Sequence, residues 1–254
     1  MNLTDQVPTN DIVLVLNPEG GSSVVVVCEH ASCFIPEEFG CLGLSGDDQK
    51  SHAAWDLGAM AVAKGLSERL DAKLIASGIS RLVYDCNRPP SAPDAMPSQS
   101  EVIKVPGNVD LTPEQRRDRI KRYYDPFRAK LNEALLAKSV LVTIHSFTPI
   151  YFGTQRHVEI GILHDTDSRL ADVMLQIAPA HLDADVRRNE PYGPQDGVTH
   201  TLKEHAIGAG HLNVMLEIRN DLIRTPHEQD AMAARIAGWL TDALERVQIS
   251  GSMQ

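Results

Sequence analysis

The sequence of 254 residues lacks the signatures of several large protein classes. It contains no Gly-x-Gly-x-x-Gly or Walker sequence after a strand, so a nucleotide cofactor is not expected. No apolar run approaches the roughly 18 residues that a membrane-spanning helix needs. Residues 1–10 lack the basic and apolar regions of a secretion signal. We therefore expect neither a nucleotide-binding protein nor a membrane protein.

Cysteine and positive charge are also scarce. Cys28, Cys33, Cys41 and Cys86 show neither Cys-x-x-Cys nor zinc-ribbon spacing, so we expect reduced thiols and a cytoplasmic location. The formal net charge of −10 disfavours nucleic acid or an anionic membrane as a partner. The length is near the upper limit for one hydrophobic core, and no composition change marks a boundary. We therefore expect one domain over residues 1–254.

Strand and helix patterns alternate along the chain. Strands are predicted over residues 11–16, 24–28, 73–77, 139–144, 158–163, 186–189 and 212–216. Helices are predicted over residues 45–70, 113–138, 168–177, 199–206 and 226–247. This alternation predicts an α/β fold, a single-domain three-layer sandwich with a mixed, mainly parallel sheet and helices on both faces.

Three of the predicted strands run directly into side chains that ionise or bind metal. Residues 24–28 lead into Glu29 and His30, residues 139–144 into His145, and residues 212–216 into Glu217. In open α/β folds, ligands bind outside the carboxyl ends of the strands. One polar strand end is explained by an ordinary loop, but three are hard to explain by packing alone. The pattern therefore predicts a site at this edge of the sheet.

His52 and Asp56 stand four residues apart in the first predicted helix, which would place both on one helix face. A solvated face is the simpler interpretation for His52. Trp55 and Leu57 flank Asp56 with apolar groups, which favours burial of that carboxylate. In the helix predicted over residues 113–138, the basic run at 116–122 is interpreted as a solvated face.

A second dense group of polar residues consists of Arg81, Asp85, Asn87 and Arg88. Guanidinium groups bind carboxylates through two parallel hydrogen bonds, so this segment suits recognition of an acidic substrate. An internal ion-pair network explains the same residues equally well. Residues 91–111 are rich in Pro, Ser and Gly and are expected to form a long exposed loop, with a lid as one interpretation.

Several segments together resemble the N-formylglutamate amidohydrolase family. They are Val27–Ser32, His52 with Trp55-Asp56, Ser80–Pro89 and Thr143–Phe147. The likeness runs in order from about residue 24 to the end, and Arg-x-x-x-Asp-x-Asn-Arg-Pro is its most specific part. The family is distantly similar to the zinc carboxypeptidases, whose motifs map onto His30, Asn87-Arg88, Ile144-His145-Ser146 and Glu217-Ile218-Arg219. The resemblance implies a zinc carboxypeptidase-like fold.

The resemblance also implies one Zn²⁺ per chain, held by His30, Asp56 and His145. The carboxypeptidase ligand three residues after the first histidine is replaced here by Cys33. Asp56 is the preferred substitute, with Glu29 or His52 as alternatives. Two histidines and one carboxylate would leave an open position for water on a tetrahedral ion.

Further roles follow from the same resemblance. Glu217 would be the general base. Arg88 is a catalytic residue in this mapping. Either Arg88 or Arg81 would stabilise an oxyanion or hold a substrate carboxylate. The substrate-binding set implied by the resemblance is Arg81, Asp85, Asn87 and Arg219.

The implied reaction is hydrolysis of an N-acyl amino acid, such as N-formylglutamate, to the free amino acid and a carboxylate, as in histidine degradation. The substrate would be a small molecule. The family usually carries Pro-His-Ser-Gly where this chain has Glu29-His30-Ala31-Ser32. Two other hypotheses are a zinc carboxypeptidase-like peptidase and a non-catalytic binder of acidic metabolites. The oligomeric state is not predicted.

Overall fold

A seven-stranded mixed sheet lies at the centre of the protein, in a computed structural model that describes residues 11–251. Residues 1–10, where no secretion signal was found, and residues 252–254 lie outside the described part. The strands are β1 (Val13–Leu16), β2 (Val24–Cys28), β3 (Lys73–Ser77), β4 (Gln99–Ser100), β5 (Ile103–Lys104), β6 (Val140–Phe147), β7 (Ile150–Tyr151), β8 (Thr154–Gln155), β9 (Ile160–Leu163), β10 (Val186–Arg188) and β11 (Leu212–Arg219). The main sheet has the order β1-β3-β2-β6-β11-β9-β10, while β4–β5 and β7–β8 form separate hairpins.

The central strands β3, β2, β6 and β11 run parallel to one another. β1 is antiparallel to β3, and β9 is antiparallel to β11. Every residue of β2 and β6 is buried, as expected for apolar strands covered on both faces. The carboxyl ends of β2, β6 and β11 therefore meet at one edge, where Glu217 pairs in register with His145.

Helices cover both faces of the sheet. They are α1 (Ala59–Leu70), α2 (Pro113–Arg119), α3 (Asp125–Ala134), α4 (Arg169–His181), α5 (His200–Leu202) and α6 (Pro226–Gly251), with π-helical turns at Ile120–Tyr124 and Lys203–Ile207. α1, α4 and α6 pack against one face, while α3 and α5 pack against the other. This arrangement confirms the predicted three-layer α/β sandwich. Within residues 11–251, no helix combines the length and apolar character needed to cross a membrane.

The helix predicted over residues 45–70 begins only at Ala59, so this prediction is wrong in its first part. The Ser45 hydroxyl accepts a hydrogen bond from the Asp48 amide at 3.1 Å, as a capping residue would. The cap leads only to one 3₁₀ turn, Asp48–Lys50. Gly58, with φ of +80°, then directs the chain into α1.

Residues 51–57 do not continue the predicted helix, because their backbone groups form hydrogen bonds with other segments. The Asp56 amide donates to the His30 carbonyl at 3.0 Å, and the Ala54 carbonyl accepts from the Arg81 amide at 3.2 Å. These bonds attach the segment to the residues that follow β2 and β3. Asp56 is therefore delivered to the sheet edge and does not share a helix face with His52.

The other predicted helices differ from the structure mainly at their ends. The helix predicted over residues 113–138 ends at Ala134, because Leu135 is extended. Its Thr112 capping box is present, with the Thr112 hydroxyl accepting from the Gln115 amide at 3.2 Å. The last helix continues to Gly251, a few residues beyond the predicted end.

The basic run at 116–122 is not wholly a solvated face, because Arg119 is only 4% exposed. Its guanidinium donates to Asn108 Oδ1 at 2.7 Å and to the Val83 carbonyl at 3.2 Å. It also lies 4.5 Å from the centre of the Phe39 ring. Arg119 therefore joins α2 to the 91–111 segment and to the loop that follows β3.

Arg119→Ala should lower the free energy of unfolding by about 2 to 4 kcal/mol, because it removes charge-assisted hydrogen bonds and leaves buried acceptors unpaired. Arg117→Ala is the matched control, since it removes only an exposed ion pair to Glu114 and should cost less than about 1 kcal/mol. Urea unfolding followed by circular dichroism measures both. Equal losses in the two variants would contradict a structural role specific to Arg119.

Candidate active site

Three side chains from separate segments meet at the carboxyl edge of the sheet. His30 follows β2, His145 lies in β6, and Asp56 precedes α1. His30 Nδ1 lies 3.2 Å from both Asp56 Oδ2 and His145 Nδ1, and His145 Nδ1 lies 3.0 Å from Asp56 Oδ2. All three residues are at most 3% exposed. Their donor atoms form a buried triangle, which we call the His-Asp-His triangle.

The chemistry of the triangle fits a divalent metal ion. Two imidazole nitrogens that face each other and the same carboxylate oxygen bring three lone pairs toward one point. Neighbouring ligand atoms on a tetrahedral Zn²⁺ with bonds of about 2.0–2.1 Å stand about 3.3 Å apart, close to the observed separations. Two imidazoles and a carboxylate are a donor set that zinc accepts. Among residues 11–251, this is the one group of metal-ligating side chains found at such spacing.

Each histidine contacts a second carboxylate through its other ring nitrogen. His30 Nε2 lies 2.7 Å from Asp85 Oδ1, and His145 Nε2 lies 3.1 Å from Glu29 Oε2. A carboxylate at Nε2 favours the tautomer that carries its proton there, which leaves the Nδ1 lone pair for a metal. Asp85 therefore orients His30, while Glu29 places a negative charge beside His145.

The close packing of these charges shifts their pKa values. Burial opposes ionisation of Asp56, but His30 and His145 outweigh it and lower the pKa of that carboxyl. Burial likewise lowers the pKa of His145, but Glu29 and Asp56 outweigh it and raise that pKa well above its usual value. In the metal-free protein protons therefore occupy the triangle, and metal binding must release them.

Glu217, on β11, lies next to the triangle. Burial raises the pKa of Glu217 to about 7, and the negative charge of Asp56 adds to the rise while His145 opposes it. Glu217 Oε2 has no hydrogen-bond partner among the described residues. A carboxyl group with a pKa near neutrality and an unpaired oxygen is suited to accept and release a proton.

A cavity of about 540 Å³ opens at this edge, a size typical of small-molecule sites. Of the side chains that the sequence predicted for the site, those that line it are His30, Asp56, Arg81, Asn87, Arg88, His145 and Glu217. Asp85 lies behind His30, and Arg219 is not among the lining residues. The structure thus brings together most of the predicted set, although those residues come from five separate parts of the chain.

The sequence left two interpretations of Arg81 and Arg88 open, an internal ion-pair network and recognition of an acidic substrate, and the structure is compatible with both. Arg81 Nη2 lies 2.8 Å from Asp85 Oδ2, and its Nη1 lies 3.5 Å from Asp56 Oδ1. Arg88 Nε donates to Asp94 Oδ2 at 2.7 Å. Both arginines belong to ion pairs and both also line the cavity.

Asn87 and Arg219 make mainly internal contacts. The Asn87 Oδ1 accepts from the Thr201 amide at 3.0 Å, and its Nδ2 donates to the Val198 carbonyl at 2.6 Å. Arg219 Nε donates to Asp221 Oδ1 at 2.7 Å, and its Nη2 lies 3.3 Å from Glu159 Oε1. Asn87 therefore fastens the loop before α5 to the cavity wall, while the guanidinium of Arg219 is engaged away from the cavity.

The two alternative metal ligands lie outside the triangle. His52 Nε2 lies 2.8 Å from Glu101 Oε2, in the wall of the cavity. Glu29 is behind His145, on the side opposite to the triangle. Asp56 is therefore the carboxylate that shares the triangle with the two histidines.

Several cavity residues were not foreseen from the sequence. They are Ser100, Glu101, Tyr151, Arg156 and Tyr192. They come from the β4–β5 hairpin, the β7–β8 hairpin and the segment before α5. No spacing or apolar run marks them, because they reach the cavity only through the folding of these loops.

Comparisons with known proteins identify the family of the chain. The sequence model for "FGase: N-formylglutamate amidohydrolase" matches residues 22–224. No significant match was found among curated proteins. The chain is 52% identical to gene product Atu2144 from Agrobacterium tumefaciens, with a TM-score of 0.92 and coverage of 94% of this chain and 97% of that one.

A second solved structure is the N-formylglutamate amidohydrolase from Ralstonia eutropha JMP134. It is 18% identical, with a TM-score of 0.69 and coverage of 94% of this chain and 98% of that one. At this identity the likeness shows a shared fold. The family match, in contrast, spans most of the sequence, and the chain therefore belongs to the N-formylglutamate amidohydrolase family.

Proposed function

We propose that this chain is a zinc-dependent amidohydrolase that cleaves an N-acyl amino acid, such as N-formylglutamate, into the free amino acid and a carboxylate. The observation that carries the proposal is the His-Asp-His triangle beside Glu217 on the wall of one cavity. Membership of the N-formylglutamate amidohydrolase family supports the choice of an N-formyl substrate. A role in histidine degradation would follow if the substrate is N-formylglutamate.

The residues that would hold the metal are His30, Asp56 and His145. A bound Zn²⁺ supplies Lewis acidity and lowers the pKa of water. Asp85 would hold His30 in the ligating tautomer, and the negative charge of Glu29 would favour the same tautomer of His145. The burial of all five side chains keeps them in fixed positions before substrate binds.

Glu217 would act as the general base. Its unpaired Oε2 accepts a proton from the attacking water and then donates it to the leaving amine. In the metal-free protein, burial raises the pKa of this carboxyl to about 7, so the group can both take up and release a proton near neutral pH.

The two arginines of the 81–88 segment would serve the substrate. Arg81 touches the metal-ligand candidate Asp56, so it is placed to stabilise negative charge on the reacting carbonyl oxygen. Arg88, whose backbone segment Asn87 holds in place, would bind the α-carboxylate of the amino acid. An N-acyl amino acid always carries that carboxylate, and burying it without a cation is costly.

We also propose that the chain forms one domain in the cytoplasm. The single-domain proposal is supported by a sheet that includes strands from residue 13 to residue 219 and by the packing of α6 on α1 and α4. The cytoplasmic proposal rests on the sequence features described above.

The first prediction concerns the metal. One zinc ion per chain should co-purify, and His145→Ala should lose it because two remaining ligands hold zinc weakly. His52→Ala is the matched control and should retain zinc, since His52 contacts Glu101 and is not part of the triangle. Plasma mass spectrometry measures the metal, and circular dichroism checks folding. Retention of zinc in folded His145→Ala, or its loss in His52→Ala, would refute the assignment.

The second prediction concerns the base. Glu217→Gln keeps the shape of the side chain but cannot accept a proton, so kcat for N-formylglutamate should fall roughly 10²-fold or more. Zinc content should be unchanged. Glu245→Gln makes the same chemical change at an exposed position of α6 and should leave kcat unaltered. A Glu217→Gln variant with wild-type turnover would assign Glu217 a structural role.

The third prediction concerns the stability of the metal-free protein. The folded pKa of Glu217 is about 7 against an ordinary 4.5, so between these values the folded chain binds more protons than the unfolded chain. Ionisation of Glu217 therefore lowers the free energy of unfolding as pH rises from 4.5 through 7.

Glu217→Gln removes that destabilisation and should gain stability over the wild type as pH rises. The gain between pH 4.5 and 8 should reach at most about 3 kcal/mol. Chemical unfolding of EDTA-treated wild type and Glu217→Gln across this range measures the difference. A difference that does not change with pH would show that Glu217 titrates normally.

A further inference from the structure

We propose that Arg156 binds the side-chain carboxylate of the substrate and so makes the enzyme selective for acidic N-acyl amino acids. This inference rests on the proposed function, because it assigns a specificity residue to the same cavity. It is carried by the position of Arg156 in the cavity wall and by the contacts of its guanidinium group.

Aromatic rings hold the guanidinium of Arg156. Its central carbon lies 4.2 Å from the centre of the Tyr151 ring, 4.8 Å from that of Tyr192 and 5.6 Å from that of Phe147. Nη1 also donates to the Tyr192 hydroxyl at 2.8 Å. Stacking on aromatic faces fixes the plane of the group while its edge remains able to donate. A guanidinium fixed in this way loses little conformational freedom when it binds a ligand.

Arg156 differs from the other two cavity arginines because it forms no ion pair among the described residues, although Glu101 is near enough for the two charges to interact. Arg81 and Arg88 both have carboxylate partners within the protein. Over residues 11–251, no Asp or Glu oxygen forms an ion pair with Arg156. Glu101, which lines the same cavity, is bonded to His52 and to the Phe152 amide. Arg156 is thus a cavity arginine that a ligand carboxylate could neutralise, and such pairs form two parallel hydrogen bonds.

The position of Arg156 favours the side-chain carboxylate over the α-carboxylate. The α-carboxylate is attached to the carbon next to the scissile amide, so it must lie close to the reacting atoms. Arg81 touches a side chain of the triangle, and Arg88 is near enough to Asp85, which contacts His30, to influence the pKa of that carboxyl. Arg156 has no hydrogen bond or ion pair to the triangle or to Asp85 among the described residues. Tyr192 bonds to Arg156 and is also near enough to Glu217 and Arg81 for their charges to influence the pKa of its phenol. Arg156 is therefore assigned to the side-chain carboxylate, which lies farther from the scissile amide than the α-carboxylate does.

The test compares two substrates and two products on zinc-loaded protein. The kcat/KM values are measured for N-formyl-L-glutamate and N-formyl-L-glutamine, which differ only in the side-chain carboxylate. Binding of L-glutamate and L-glutamine is measured by calorimetry, independently of turnover. The variants are Arg156→Gln and Arg156→Lys, with Arg117→Gln as an exposed arginine control.

Arg156→Gln should lose roughly 10- to 100-fold in kcat/KM and in affinity for the acids, with little change for the amides. Arg156→Lys should lose less, because it keeps the charge but not the planar fork. Arg117→Gln should match the wild type. The melting temperature of each variant shows whether folding is intact.

Three results would overturn the inference. One is an equal loss for acids and amides, which would make Arg156 structural. Another is a loss in Arg156→Gln that is absent with N-formyl-L-isoglutamine, which keeps the side-chain carboxylate but carries an amide in place of the α-carboxylate. That result would assign Arg156 to the α-carboxylate. The third is a wild type that binds glutamate and glutamine equally. If the wild type hydrolyses neither substrate yet binds glutamate more tightly than glutamine through Arg156, the proposed function fails, while the assignment of Arg156 to the side-chain carboxylate stands.

Discussion

The structure depends on the compensation of buried charge at the carboxyl edge of its sheet. Glu29, Asp56 and Asp85 are at most 3% exposed, and an isolated carboxylate so placed would cost several kcal/mol. Each of the three lies against His30 or His145. The histidines are in turn held between two carboxylates each. The cluster is therefore stable only as a unit, and this requirement fixes the relative positions of β2, β6 and the segment before α1.

Glu217 is the exception within this cluster. Its carboxyl is buried beside the others, but its pKa is raised, whereas neighbouring positive charges lower the pKa values of Glu29, Asp56 and Asp85. Such a group is costly for stability and useful for proton transfer. The parallel pairing of β6 and β11 holds it opposite His145, so the sheet itself keeps the unfavourable charge in place.

Two kinds of structure surround the cavity. The proposed metal ligands and base lie on, or are hydrogen-bonded to, the ends of central strands, where backbone positions are fixed by the ladder. Arg156, Tyr151 and Glu101 lie on short hairpins outside the sheet. Loops of this kind accept changes that strands do not. In the proposed function, the chemistry and the selection of the substrate side chain would therefore be carried by separate parts of the fold.

Strand ends were the part of the site that the sequence could identify. Apolar, β-branched runs predict buried parallel strands, and the carboxyl ends of such strands converge, so His30, His145 and Glu217 could be placed at one edge. The alternation of strands and helices likewise predicted the three-layer fold. Both signals are local, because they depend on residues that are neighbours in the chain.

Tertiary structure decided the rest. The sequence placed Asp56 on a helix, but bonds to His30 and Arg81 backbone hold residues 51–57 at the sheet edge. The sequence predicted a solvated face for Arg119, which is buried, and no sequence pattern marked Arg156 as a cavity residue. In each case the outcome depends on hydrogen bonds or ring contacts between segments far apart in the chain. The sequence by itself determined which strands exist and where they end, while only the folded chain decided which loop residues join them, because those contacts have no local periodicity.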